Sequence, residues 1–106
     1  MEPRTETFEV VVVHDAQHRR KQWAERIGKG LAKLVGGVSF YEGMGLWKNG
    51  NLYDFEPHIR VQAYCNGMTA SEVFSALSLL LKEYREDAEQ ECVLVVLNGE
   101  TMFLTE

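Results

Sequence analysis

The sequence is short of the features that announce a specialised protein. Of its 106 residues two are proline, two cysteine and three histidine. So few prolines leave no extended linker, and two cysteines cannot build a disulfide framework. Cys65 and Cys92 both fall in apolar, strand-like runs and read as small buried hydrophobes. A bond between them would require their strands to be neighbours. No run approaches the ~18 apolar residues of a membrane-spanning helix. The first residues, MEPRTETFE, are polar and acidic rather than signal-peptide-like, which places the chain in the cytoplasm as an expectation. Positive charge is scarce too: 11 Lys and Arg stand against 16 Asp and Glu, a net charge of −5. Nucleic-acid binding needs a cationic field to displace counterions, and adhesion to anionic membranes needs the same sign. Neither partner is expected. The Gly28-Lys29-Gly30 stretch lacks the GxxxxGK[ST] spacing of a phosphate loop, and no dinucleotide fingerprint occurs.

What remains is an ordinary globular composition, 45% apolar and 25% charged, in one domain of 106 residues. Phe8 to His14 (FEVVVVH) is a β-branched run and reads as a strand buried on both faces. Ala16 to Val35 reads as a helix with Trp23, Ile27, Gly30, Leu31 and Leu34 on one stripe, stopped by Gly36-Gly37. Gly30 on that stripe suggests close packing against a sheet. Thr69 to about Tyr84 reads as a second helix. Thr69 and Glu72 form its capping box, and Val73, Leu77, Leu80, Leu81 and Tyr84 its buried stripe. The acidic stretch Glu86 to Glu91 disfavours a helix C-terminus, so the helix is expected to end near Arg85. Cys92 to Leu97 is another doubly apolar strand, and Asn98-Gly99 turns it into a short strand from Thr101 to Leu104. The two helical regions carry opposite charge. Six bases stand against one acid over 16–35, and six acids against two bases over 69–91.

Between the helices, Val38 to Cys65 reads as a long hairpin about Asn49-Gly50, the dipeptide suited to a type I′ turn. That turn sets Lys48 opposite Asn51, Trp47 opposite Leu52, Phe40 opposite Ile59, Val38 opposite Val61, Tyr41 opposite His58 and Ser39 opposite Arg60. The resulting order, β-α-β-β-α-β with an extra strand, predicts an α+β fold. It is the ferredoxin-like sandwich, one domain over 1–106, with the long hairpin of its second and third strands protruding.

Two helices can cover one side of such a sheet. Val11, Val13, Val93 and Val95 form one apolar set and Val10, Val12, Leu94 and Val96 another, so one set is left facing water. The hairpin would reach roughly 20 Å past the helices at ~3.4 Å per residue. Pro57 suits the point where this arm leaves the sheet. The arm holds Trp47, Leu52, Tyr53 and Phe55 with nothing of its own to cover them. Self-association is therefore expected, most simply as a two-fold dimer; the alternative is an arm folded back over its own sheet. The polar side of the hairpin carries Ser39, Tyr41, His58, Arg60, Gln62 and Tyr64. Tyr41, His58 and Arg60 are the candidate acid, base and anion clamp of a pocket between sheets. A hydrogen-bonded interface patch is the blander reading of the same residues. His14, Asp15 and His18 have helical metal spacing, but His14 ends a strand and Asp15 reads better as a helix cap. No metal and no cofactor are expected.

Trp23 in the first helix, Gly45 and Trp47 before the turn, Glu56-Pro57, and Gln90-Glu91 with Val93-Leu94 resemble a family of small bacterial proteins of unknown function. The resemblance covers most of the chain from Trp23 to Leu104. It implies a ferredoxin-type α/β sandwich and no assigned activity. The element order also resembles the trimeric copper-tolerance and nitrogen-signal regulatory folds, without their ligand motifs, and the acylphosphatase loop is missing.

Two functions fit. The first, which the sequence favours, is a non-enzymatic, self-assembling binding or regulatory module. It would hold a small molecule or a protein through the open sheet face and arm, with Trp47, Leu52, Tyr53, Phe55, Gln62 and Tyr64 as contacts. The second is a small cofactor-free enzyme of the dimeric α+β barrel type, with Tyr41, His58 and Arg60 in an intersubunit cavity.

Overall fold

The computed structural model describes residues 5–13 and 20–105. Its elements are β1 (Thr7–Val13), α1 (Arg20–Val35), β2 (Ser39–Asn49), β3 (Leu52–Tyr64), α2 (Ala70–Asp87), β4 (Val93–Leu97) and β5 (Glu100–Leu104). The strands form one sheet in the order β2-β3-β1-β4-β5, with every neighbouring pair antiparallel. This is the expected α+β ferredoxin-like sandwich, with β5 added beside β4. His14, Asp15 and His18, and the first residues of the helix expected from Ala16, lie outside the described residues.

Strand β1 alternates. Phe8, Val10 and Val12 are fully buried under the helices, while Val11 and Val13 are half-buried on the opposite face. The pairing Val10↔Val95 puts Val93 and Val95 in the core with Val10 and Val12. The open face therefore holds Val11, Val13, Leu94 and Val96. This regroups the two sets expected from the sequence, because strand register decides which valines share a face.

Helix α1 buries Trp23, Ala24, Ile27, Gly28, Leu31 and Val35, a stripe turned slightly from the expected one. The glycine that meets the sheet is Gly28: a Cβ there would stand 2.5 Å from the Phe40 ring. Gly30 instead faces the second helix, with Leu80 and Leu77 Cδ2 atoms 3.3 and 3.4 Å from its notional Cβ. Helix α2 begins as its capping box dictates. The Thr69 hydroxyl accepts from the Glu72 amide, and the Glu72 carboxylate accepts from the Thr69 amide. These bonds hold the Glu72 carboxyl below its ordinary value. The helix does not stop at Arg85 but runs to Asp87, and Glu89, with φ of 54°, ends the turn that follows. Its acidic end is tolerated because α1 lies alongside. Trp23 Nε1 donates to Asp87 Oδ2 at 2.7 Å, and Arg26 pairs with Glu83 at 2.9 Å. The complementary charges of the two helices thus meet, although exposed pairs contribute little each.

The hairpin register differs from expectation. The loop residues are Gly50 and Asn51, and Asn49 belongs to the strand opposite Leu52. Gly50 has φ of +64°, and glycine in the first loop position suits a type II′ turn. Every pair slides by two residues, giving Ser39↔Gln62, Phe40↔Val61, Tyr41↔Arg60 and Trp47↔Asp54. A two-residue slide leaves each side chain on its expected face, since the strand period is two. The second turn forms where expected, with φ of 49° at Asn98 and 86° at Gly99.

Beyond the helices the β2-β3 arm projects, and the molecule measures 51 by 24 by 24 Å. Pro57 sits one residue past the last β1 partner of β3, His58, where β3 becomes an edge. The accessible surface is 7057 Å², against about 6,000 Å² for a compact chain of this mass. The radius of gyration is 14.0 Å, against about 13 Å for that length.

Thr69→Ala is expected to cost about 1 kcal/mol in urea denaturation through loss of the cap. Gly28→Ala is expected to lower stability by about 1 kcal/mol although alanine favours helix, because the Phe40 ring must move. Gly30→Ala, which meets only flexible leucine ends, should not. Equal stabilisation by both alanines would contradict the packing described.

Candidate functional site

The sheet face turned away from the helices is a sequence of cross-strand rows. One runs Ser39, Gln62, Glu9, Val96 and Thr101. The next begins with Tyr41, Arg60 and Val11, and ends on β4 and β5 with the pair Leu94 and Phe103. Arg60 is held from two sides. Its guanidinium carbon lies 5.4 Å from the Tyr41 ring centroid, and Nη1 lies 3.6 Å from Glu9 Oε1. The Glu9 side chain is only 14% exposed, so a nearly buried carboxylate anchors the cation and aims it along the face.

Two glycines shape the part nearer the arm. On β2 the open-face positions after Tyr41 are Gly43 and Gly45. The His58 imidazole lies over Gly43, with Nε2 2.6 Å from where a Cβ would be. The Trp47 indole lies back over Gly45, with Nε1 3.2 Å from that notional atom. A side chain at either position would lift its ring off the strand. Trp47 is thereby drawn from the arm toward the sheet body and helps line a cavity of about 330 Å³. The floor is Val11, Val13, Leu94 and Phe103, the arm adds Glu56, and the α2-β4 connection closes one end with Glu89 to Cys92. That end is fixed because the Val13 amide donates to the Tyr84 hydroxyl at 2.8 Å.

The candidates read from the sequence divide into three groups. Tyr41, His58 and Arg60 share the open face, and Tyr41 and Arg60 touch. The slide in register makes Arg60, not His58, the partner of Tyr41, and Gln62 the partner of Ser39. Gln62 and Tyr64 lie further along and line a second depression with Ser39, Tyr41 and Asn66. Trp47 joins the first cavity. Its cross-strand partner is Asp54, while Leu52 sits at the arm tip opposite Asn49. Tyr53 and Phe55 point to the other side of the arm, where they form an exposed apolar strip with Met44 and Leu46. The sequence reading missed Glu9, Glu56 and the roles of Gly43 and Gly45. The signal was there in the alternation: glycine recurs at two successive open-face positions of one strand, opposite His58 and Glu56.

Cys65 and Cys92 are free, and burial together with the Glu6 carboxylate pushes the Cys65 thiol up. Among the described residues no group of three His, Cys, Asp or Glu is placed to hold a metal, and no helix is long and apolar enough to cross a membrane.

No family model matches the chain, and no curated protein matches it. Two solved structures do. One is a phage SAM lyase in complex with S-methyl-5'-thioadenosine, at 16% identity over 100% of this chain and 96% of that one, with a TM-score of 0.69. The other is a phage SAM lyase in its apo state, at 14% identity with the same coverage and a TM-score of 0.67. At these identities the likeness shows a shared fold.

Gly43→Ala is expected to shift the His58 ring resonances in NMR, and Gly45→Ala to change Trp47 fluorescence. Each should cost no more than about 1–3 kcal/mol, as overpacking at the surface edge of a sheet. Unchanged spectra in both variants would mean that the glycines do not seat the rings.

Proposed function

We propose that the protein is a small cofactor-free lyase acting on a sulfonium nucleoside of the SAM type. Its site is the cavity between the open sheet face and the arm. The observation that carries this reading is the chemistry gathered on that face. An apolar floor, an indole wall and carboxylates line the cavity, and the Tyr41-Arg60 pair lies beside it on the row of Val11. SAM presents matching parts: a flat purine and sugar, a positively charged sulfur and an amino-acid carboxylate. The full-length likeness in fold to a SAM lyase, seen once with S-methyl-5'-thioadenosine bound, supports the same choice.

The reaction needs no cofactor to balance. The electron pair of the bond between sulfur and the amino-acid γ-carbon leaves on sulfur, which becomes the neutral thioether of S-methyl-5'-thioadenosine. The amino-acid fragment fills the vacancy itself, its carboxylate oxygen bonding to that carbon to close a five-membered lactone. No water is consumed and nothing is oxidised or reduced. In this scheme Arg60 and Tyr41 steer the carboxylate, and His58 fixes the amino-acid end in a folded conformation. Holding the reacting atoms in such a geometry is itself a large source of rate. With such a substrate the reading takes the protein to act in the cytoplasm.

A second copy completes the site in the same reading. Phe103 is 59% exposed and the apolar strip of Met44, Leu46, Tyr53 and Phe55 is bare. The surface in excess of a compact chain, about 1,000 Å², is of the order of one side of a standard interface, about 800 Å². The partner's arm laid on the open face would cover both. The binding-module reading rests on the same exposed strip and differs only in lacking turnover.

Purified protein incubated with SAM and no added cofactor is expected to release S-methyl-5'-thioadenosine. Arg60→Ala should lower the rate roughly a hundredfold, as expected for a lost charge clamp, and His58→Ala should abolish measurable turnover without dissociating the oligomer. Tight SAM binding with no cleavage would support the binding module instead, and absence of both would overturn the two readings together.

A further inference from the structure

Resting on that reading, we infer that the cavity reads the charge on the sulfur, and that Trp47 is the residue that does so. The indole is positioned by Gly45 along one edge, yet Trp47 keeps 55% of its surface free and lines the cavity. Its ring offers a negative quadrupole to whatever lies against it. Glu56 stands on the neighbouring strand, directly across from Gly45, and lines the same cavity. Glu89 and Glu91 add negative charge at the closed end, and among the described residues the cavity wall contains no cationic side chain. Arg60, which the proposed scheme assigns to the amino-acid carboxylate, is held by Glu9 and Tyr41 and is not part of the cavity wall.

Such a wall treats a sulfonium and a thioether differently. The sulfonium is a diffuse organic cation of low hydration, the kind of group that an aromatic face and a nearby carboxylate attract. The neutral thioether has the same shape but gains neither interaction. Nucleoside contacts with Val11, Val13, Leu94 and Phe103 are common to both. The discrimination therefore falls on the indole and the cavity's carboxylates, and the indole's share is about tenfold, the size of a partly desolvated cation–π contact. This has a consequence for turnover. Breaking the carbon–sulfur bond neutralises the sulfur, so the step that makes the product also removes what held the substrate. Product departure is built into the chemistry.

The test uses two ligands that the protein cannot cleave at sulfur. S-adenosylhomocysteine carries the neutral thioether; sinefungin carries a protonated amine where SAM has its sulfonium. Titration calorimetry on the full chain is expected to show sinefungin binding at least tenfold tighter. Trp47→Leu should bring that ratio to about two or less while leaving S-adenosylhomocysteine within twofold of its wild-type affinity. Glu56→Gln should narrow the ratio in the same direction. The arm position of Trp47 makes loss of folding a small risk, and circular dichroism together with an intact S-adenosylhomocysteine isotherm checks it. An unchanged ratio in Trp47→Leu, or equal weakening of both ligands, would overturn the inference, the latter showing that the indole only stacks on the base. Release of S-methyl-5'-thioadenosine alongside either result would leave the lyase reading standing. Failure of wild-type protein to bind either ligand would overturn both.

Discussion

Two helices of sixteen and eighteen residues, joined by opposite charges, can shield one face of one sheet. The remainder of the molecule follows from that limit. The core lies wholly between α1, α2 and the alternate residues of β1, β3 and β4, led by Phe8, Val10, Val12, Val61, Val93 and Val95. The residues between them point the other way and have no layer of their own. A sequence that places valine and leucine at those positions as well leaves an apolar surface on the open face, which we propose is used for contact. Burial of apolar area is the dominant favourable term in association as it is in folding.

The hairpin arm carries this constraint outward. On the helix side of the sheet it runs past the end of α1 and α2, so Met44, Leu46, Tyr53 and Phe55 meet solvent. On the open side the same two strands do something different. Gly43 and Gly45 leave room for rings to come close to the strand, and His58 and Trp47 use it. The arm is therefore two-faced: one side is an exposed apolar strip and the other is the upper wall of a cavity. The fold itself is shared with a phage SAM lyase over the whole of this chain.

Much of the fold was legible in the sequence because its local signals agree with one another. The FEVVVV run, the Thr69-Glu72 capping box and the Asn98-Gly99 turn each formed as their chemistry dictates. The failures share a physical cause. Asn49-Gly50 satisfies a type I′ turn, but Gly50-Asn51 satisfies a type II′ turn equally well, and both registers set apolar residues opposite Phe40, Ile59 in the first and Val61 in the second, which the structure adopts. Because that choice moves partners by two, the faces were right and the neighbours wrong, which is why Tyr41 was matched to His58 instead of Arg60. Helix α2 outran its acidic end because the compensating partners, the Trp23 indole N–H and the Arg26 guanidinium, lie 57 or more residues away in sequence. Glu9 and Glu56 were not singled out as site residues because a single carboxylate in a strand has no functional motif. Their importance comes from what the sheet brings beside them.

The central claim is that the open face and the arm are not meant to face water. Sedimentation or light scattering of the purified chain at high concentration measures this most directly. The account requires a stable assembly whose mass is two or more times 12.1 kDa. A particle that remains at 12.1 kDa, with Trp47 and Phe55 shielded by its own sheet, would contradict it.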